Sequence, residues 1–399
     1  MAWNLPERRA DAQLVRCVLS RWARSPEAYE LGPAYHTPCI SSAMTRPIRA
    51  TIRLSALGNN LARARERAPG AKVMAVIKAN AYGHGLLRAA RALRTADGFA
   101  VVDLQDAVQL REAGFEQRIL LLEGFFDLGD LPWMAQHRLT AVMHSVDQLE
   151  MLEGVSLPSP VDLFVKLNTG MNRLGFAPAV FGSVLERLRR CTNAGDITLM
   201  THFACADDAR GIASQLARFE TAVAGIDLPV SLANSAALLR YPESARGWVR
   251  PGIMLYGASP FADQSATSLN LQPVMTLTSK LLTVRQLQVG DTVGYGATFR
   301  ADASIRMGVV ACGYADGYPR HADTGTPVLV AGTRTRILGR VSMDMLCVDL
   351  TSLPNVGVGA PVVLWGQGLP VHEVATAAGT VSYELLCALA LRVPIVEIE

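Results

Sequence analysis

The chain has 399 residues, half of them hydrophobic and 18% charged, which is room for one large domain and a smaller one. With 38 basic against 35 acidic residues the formal charge is +3, and no one-sign run provides the concentrated basic patch that a nucleic-acid partner would need. The apolar residues come in short bursts, none near the ~20 that a membrane helix requires, so neither nucleic acid nor membrane is expected as a partner.

Residues 1–45 follow no clear period and are read as an N-terminal extension, dispensable or not made at all. They lack an apolar signal segment, and Glu7, Asp11, Glu27 and Glu30 argue against an organellar transit peptide, so the expected compartment is the cytoplasm. The seven cysteines are odd in number and include no C-x-x-C pair, which excludes a fully paired disulfide framework and fits a reducing environment. From Ile48 the chain reads as folded protein.

Strand-like apolar runs then occur at 73–77, 99–102, 119–122, 140–144, 162–167, 197–203, 230–233 and 249–256. Segments with helical spacing lie between most of them, such as 104–113, 179–190 and 212–223. Strand followed by helix without hairpin signals requires a parallel sheet, and eight strands are the number that closes a TIM-type (β/α)8 barrel. An open doubly wound sheet shows the same alternation, but no G-x-G-x-x-G follows the first strand. The expected α/β barrel spans 46–271. After about residue 271, Val-, Leu- and Thr-rich runs separated by turn signals such as Val289-Gly290-Asp291 predict a mostly β domain over 272–399.

In a β/α barrel the chemistry belongs at the C-terminal ends of the strands. There stand Lys78, the segment from Lys166 to Arg173, His202, Asn234-Ser235, and Arg250 followed by Gly252-Ile253. A lysine at a barrel mouth is partly desolvated, loses its proton more easily and can form a Schiff base with an aldehyde. An isolated lysine more often carries its head to solvent. Here, however, Asn-Ser and Gly-Ile fall where barrels bind phosphate with hydroxyls and backbone N–H groups, and Asn-Ser also suits a helix N-cap. A lysine facing a phosphate pocket points to pyridoxal 5'-phosphate.

The string AVIKANAYGHG resembles the cofactor-lysine motif of the bacterial alanine racemases. The resemblance continues in order through KLNTGMNRLGF, MTHFACAD, ANSAALL, WVRPGIMLYG, VGYGATF, CGYADGYPR, GRVSMDM and VSYELL, and covers about 46–399. It implies an isomerase that interconverts L- and D-alanine by two-base proton transfer, supplying D-alanine for peptidoglycan or catabolising it. Lys78 would hold the cofactor covalently and act as one base, and Tyr295 would be the other. Tyr82, Ser235, Tyr383 and the N–H groups of Gly252 and Ile253 would bind the phosphate, with Asn234 beside them. Arg250 would face the pyridine nitrogen, supported by His202. Arg173, Met343 and Asp344 would meet the substrate, and Lys166 matches a lysine that some members carbamylate. Asp207, Arg320 and Arg340 match positions of the family's access channel. The resemblance also implies a homodimer in which Tyr295 of one subunit completes the partner's site. Asn168, Cys205 and Arg53 depart from the family's usual residues without touching an assigned role.

The same barrel also carries non-catalytic pyridoxal-phosphate binding proteins, which lack a second domain, and decarboxylases of basic amino acids, which place a glutamate at the pyridine nitrogen. The predicted β domain speaks against the first, and Arg250 and Tyr295 against the second. A racemase acting on serine or lysine as well as alanine is not separated by sequence. Arginine is always charged and accepts no hydrogen bond, so Arg250 would keep the ring nitrogen unprotonated and disfavour transamination.

Overall fold

The computed structural model describes residues 46–399, so the expected extension over 1–45 lies outside the described residues. Eight parallel strands close the barrel: β2 (Lys72–Val76), β3 (Gly98–Val101), β4 (Arg118–Leu121), β5 (Thr140–Met143), β6 (Val161–Lys166), β7 (Ala194–Met200), β8 (Val230–Ser231) and β9 (Trp248–Val249), following a first strand β1 (Arg49–Arg53). Barrel strands are covered on both faces, which is why they read as continuous apolar runs; every residue of β3 and β5 is buried. β9 closes the ring, with Val249 opposite Val73 of β2.

The intervening helices carry one apolar stripe. Helix Pro178–Arg190 buries Phe181, Val184, Leu185 and Leu188, opens with proline, and ends in Arg187, Arg189 and Arg190, where cations suit the carbonyl end. No helix among the described residues is long and apolar enough to cross a membrane.

The second domain is a β sheet built on the 13-residue strand β10 (Met275–Leu287). After β11 (Thr292–Val293) and β12 (Phe299–Arg300), which form a separate small ribbon, come β13 (Ile305–Val310), β14 (Pro327–Val330), β15 (Thr333–Leu338), β16 (Leu346–Asp349), β17 (Pro361–Trp365) and β18 (Ile395–Ile398). The sheet order is β13-β16-β15-β14-β17-β10-β1-β18, and β13 also pairs with β10, so that part of the sheet closes on itself. The fully buried Trp365 stacks on Tyr318 in its core, ring centroids 5.8 Å apart.

Two expectations need correction. Residues 49–53, assigned above to the barrel, form a strand of the β domain: β1 pairs antiparallel with β10, Ala50 opposite Leu277, and parallel with β18, Ala50 opposite Ile395. The physical sign is its alternating burial, with Ala50 and Ile52 inside and Arg49 outside, unlike the unbroken burial of Val73–Val76. The eighth barrel strand, expected over 249–256, ends at Val249, because Pro251 and Gly252 turn the chain into a 3-10 turn, Ile253–Tyr256.

Candidate active site

Directly after β2 the chain enters a left-handed turn. Ala79, Asn80, Ala81 and Tyr82 all have φ between 51° and 53°. That region costs an L-residue roughly 1–2 kcal/mol each, so it persists only where the surroundings impose it. The Gly83 and Gly85 N–H groups donate to Ala79 O (3.1 Å) and Asn80 O (2.9 Å). The Asn80 side chain accepts the Leu86 N–H (2.9 Å), which begins helix Leu86–Ala92. The fully buried His84 sets Nδ1 3.0 Å from Ala81 O and 2.9 Å from Tyr82 O; both are acceptors, so Nδ1 carries the proton. Burial pushes the His84 pKa down to about 4. Tyr82 stacks on Tyr256 (4.6 Å), whose hydroxyl donates to Val76 O (2.9 Å).

The turn leaves Lys78 half-buried at the C-terminal end of β2. Burial lowers its pKa, and the charge of Arg173 lowers it further, while Glu123 opposes the shift. Lys166, at the end of β6, is almost wholly buried; burial, then Arg250, Arg173 and Lys78, bring its pKa to about 8. Arg250 is buried among acceptors: Nη1 donates to Ser231 Oγ (2.6 Å), and Nη2 faces Thr201 O (2.8 Å), Leu232 O (3.2 Å) and His202 Nδ1 (3.4 Å). Burial lowers its pKa to about 10, which still leaves it charged at neutral pH. Arginine only donates, so His202 Nδ1 is the acceptor and its proton sits on Nε2. Burial, then the Arg250 charge, hold the His202 pKa well below the usual histidine range. This mouth gathers cations and calls for anionic occupants.

The neighbouring loops supply donors. Asn234 caps helix Ser235–Arg240 by accepting the Ala237 N–H (3.0 Å) and donates to Phe203 O (3.2 Å). Ser235 Oγ accepts from Gly252 N (2.8 Å) and Met254 N (3.4 Å), so its own proton is left to donate. A Cβ on Gly252 would lie 2.7 Å from the Tyr82 hydroxyl: only glycine lets that hydroxyl come so close to this loop. Ile253 is fully buried as the 3-10 turn begins. Tyr383, on helix Ser382–Cys387, places its ring 5.9 Å from Tyr82, and burial followed by the Asp207 charge pushes its pKa up to about 12. The set suits pyridoxal phosphate: a readily deprotonated amine for the aldehyde, hydroxyls and a glycine loop for the phosphate, and a fixed guanidinium nearby.

Lys78, Tyr82, Lys166, His202, Asn234, Ser235, Arg250, Gly252, Ile253 and Tyr383 thus lie around one barrel mouth, with the exposed Arg173 on the loop after β6. Tyr295, Met343 and Asp344 are on the β domain. Tyr295 is 70% exposed between Gly294 and Gly296, and Met343 is 52% exposed. Among the described residues, no hydrogen bond or ring contact joins Tyr295 to the barrel. Gly296 packs near Arg340 instead. Sequence reasoning missed His84, Ser231 and Tyr256. His84 and Tyr256 stand inside motifs quoted above, whereas Ser231 carried no sign of its bond to Arg250.

Comparison with known proteins extends these observations. Residues 52–260 match the alanine racemase N-terminal domain family and residues 274–397 the alanine racemase C-terminal domain family. An alanine racemase of Nitrosospira multiformis is 59% identical over 352 residues, 88% of this chain and 99% of that protein. One from Erwinia tasmaniensis is 52% identical over 353 residues, again 88% of this chain and 99% of that one. The crystal structure of a biosynthetic alanine racemase from Pseudomonas aeruginosa is similar at a TM-score of 0.87 and 47% identity, covering 89% of this chain and all of that one.

Proposed function

The chain belongs to the alanine racemase family, pyridoxal-phosphate-dependent isomerases that interconvert L- and D-alanine, and we propose that it does so with Lys78 and Tyr295 as its two bases. The observation that carries the site assignment is the half-buried Lys78, its amine depressed by burial and by Arg173, standing among Arg250, Lys166 and the Ser235–Gly252 loop.

Inverting an α-carbon means taking a proton from one face and returning one to the other. Pyridoxal phosphate, when bound, supplies the electron sink that makes the α-proton acidic enough to remove. Tyr82, Ser235, Gly252, Ile253 and Tyr383 would hold the phosphate end, with Asn234 fixing the loop. Arg250 would serve the ring-nitrogen end of the cofactor; because an arginine offers no acceptor, it would keep that nitrogen unprotonated. His202 Nδ1, 3.4 Å from Arg250 Nη2, accepts from it and helps to fix the guanidinium. The Lys78 amine would hold or give the proton on one face of the α-carbon, and the Tyr295 hydroxyl would do so on the other, an efficient solution because neither group must serve both faces. Arg173, Met343 and Asp344 orient the substrate carboxylate. Burial and the neighbouring cations bring the Lys166 amine down to about 8, which raises the share of the neutral form that adds carbon dioxide; as a carbamate it would turn from a repelling cation into a partner for Arg173. Alanine is the substrate, and the chain acts as a homodimer in which the exposed Tyr295 of one subunit serves the Lys78 of the other.

The test is direct. The purified protein, loaded with pyridoxal phosphate, should racemise L-alanine faster than lysine or arginine when followed by chiral chromatography. Borohydride reduction and peptide mapping should place the pyridoxyl group on Lys78. A label on another lysine would sink the site assignment, and faster racemisation of a basic amino acid would overturn the substrate.

A further inference from the structure

We propose that Asp316 is a positioning residue for the substrate side of the site: a buried carboxylate through which Arg46 and Arg392 hold the Ser342–Asp344 loop in place. Asp316 ends the 3-10 turn Tyr314–Asp316, and its side chain is fully buried. Oδ1 accepts from Arg46 Nη1 (2.7 Å) and Arg392 Nε (2.7 Å), and Oδ2 accepts from Arg46 Nη2 (3.1 Å) and the Gly313 N–H (2.9 Å). Four donors fill the acceptor sites of one carboxylate.

The two guanidiniums do not stop there. Arg46 Nη2 also donates to Asp344 O (2.8 Å), and Arg392 Nη2 donates to the Asp344 carboxylate. From the other side the turn itself grips the loop: Tyr314 N donates to Ser342 O and Ala315 N to Met343 O, both at 3.0 Å. A Cβ on Gly313 would lie 2.3 Å from each of the Ser342 and Met343 carbonyl oxygens, so turn and loop touch backbone to backbone.

Met343 is half exposed and Asp344 little less so, and exposed side chains have little packing of their own to hold the loop. Its order comes from the turn and the two arginines, and both arginines depend on Asp316. Arg392 does a second thing: it offsets the Asp344 charge, which as a bare carboxylate would repel an anionic substrate. The inference rests on the reading that Met343 and Asp344 face the substrate carboxylate.

Its test uses the full-length, cofactor-loaded protein and compares Asp316→Asn, the milder Arg392→Lys, and Met343→Ala. Asp316→Asn should raise KM for both alanine enantiomers roughly tenfold or more, with kcat within about twofold and cofactor content unchanged. Binding of propionate, which is alanine without its amine, should weaken in parallel by calorimetry. Arg392→Lys, which keeps the charge but loses the fork, should move KM the same way to a smaller degree, and it decides the matter should Asp316→Asn not fold. A lowered unfolding midpoint with KM and propionate affinity unchanged would overturn the positioning role while Met343→Ala still raised KM. If Met343→Ala leaves KM untouched, the substrate-side reading fails, and the inference fails with it.

Discussion

Burial lowers the Lys78 amine and the Arg173 charge lowers it further, which favours a neutral nucleophile at the barrel mouth. Tyr295 stands in the opposite situation, 70% exposed on the β domain. Removing its hydroxyl should therefore leave stability within about 0.5 kcal/mol, since exposed substitutions rarely cost more. Tyr295→Phe should nevertheless lower kcat by roughly 10²–10⁴, the usual contribution of a positioned proton-transfer group. Thermal unfolding and racemisation measured on one preparation check both halves. His84 is a residue whose role burial decides. Its pKa of about 4 in the folded protein lies below the unfolded value near ~6.5, so its contribution to stability is complete above pH ~6.5. That contribution is lost as the pH falls through the folded value, by about 3 kcal/mol in all. Urea unfolding across this range should show a steeper loss for the native protein than for His84→Asn, whose side chain does not titrate. Equal slopes would contradict it.

Among the elements, the left-handed turn after Lys78 is the most demanding. Gly83 closes it at φ +79°, and a Cβ there would lie 2.2 Å from the backbone oxygen of Leu386 on the helix that carries Tyr383. Gly83→Ala should cost at least ~1–2 kcal/mol in urea unfolding from the backbone conformation alone, and more from the clash with Leu386. It should also displace Tyr383 from Tyr82 and weaken pyridoxal phosphate binding. Nothing in Ala79-Asn80-Ala81-Tyr82 announces such a turn, because none of the four is glycine; the conformation comes from His84, Asn80 and Tyr256 acting together. The barrel strands, by contrast, were legible because burial on both faces leaves an unbroken apolar run. β1 was misplaced because its partners lie at Thr276 and Val396, pairings no local pattern reveals. The Asp316 turn escaped notice for the same reason: Arg46 and Arg392 are 270 and 76 residues away from it. Its pH dependence follows from its partners. Burial pushes the carboxyl up, but the bonds from Arg46, Arg392 and Gly313 outweigh that and hold it below its ordinary value. The stability it contributes is present above the unfolded carboxylate pKa near ~3.9 and is lost as the pH falls through the lower folded value. Asp316→Asn should flatten that acid limb of the unfolding curve.

At the scale of the whole molecule, the first and last described strands lie side by side in the β domain, so the barrel is inserted between two segments of one sheet. The barrel gathers the residues proposed to hold the cofactor, and the β domain carries Tyr295, Met343 and Asp344 on exposed or partly exposed positions. The motifs named these residues, but a sequence does not show which copy of a domain covers which barrel. Twofold pairing would reconcile the two halves, because one contact made twice would complete both sites. Mixing Lys78→Ala subunits with Tyr295→Phe subunits under conditions that allow exchange tests this most directly. If the bases come from different chains, one site of each heterodimer collects both lesions and the other is wild type. Each variant alone should then be nearly inactive, and the mixture should regain racemase activity in proportion to heterodimer formed. Exchange without any recovery would mean that Lys78 and Tyr295 act within a single chain, and would contradict the shared site.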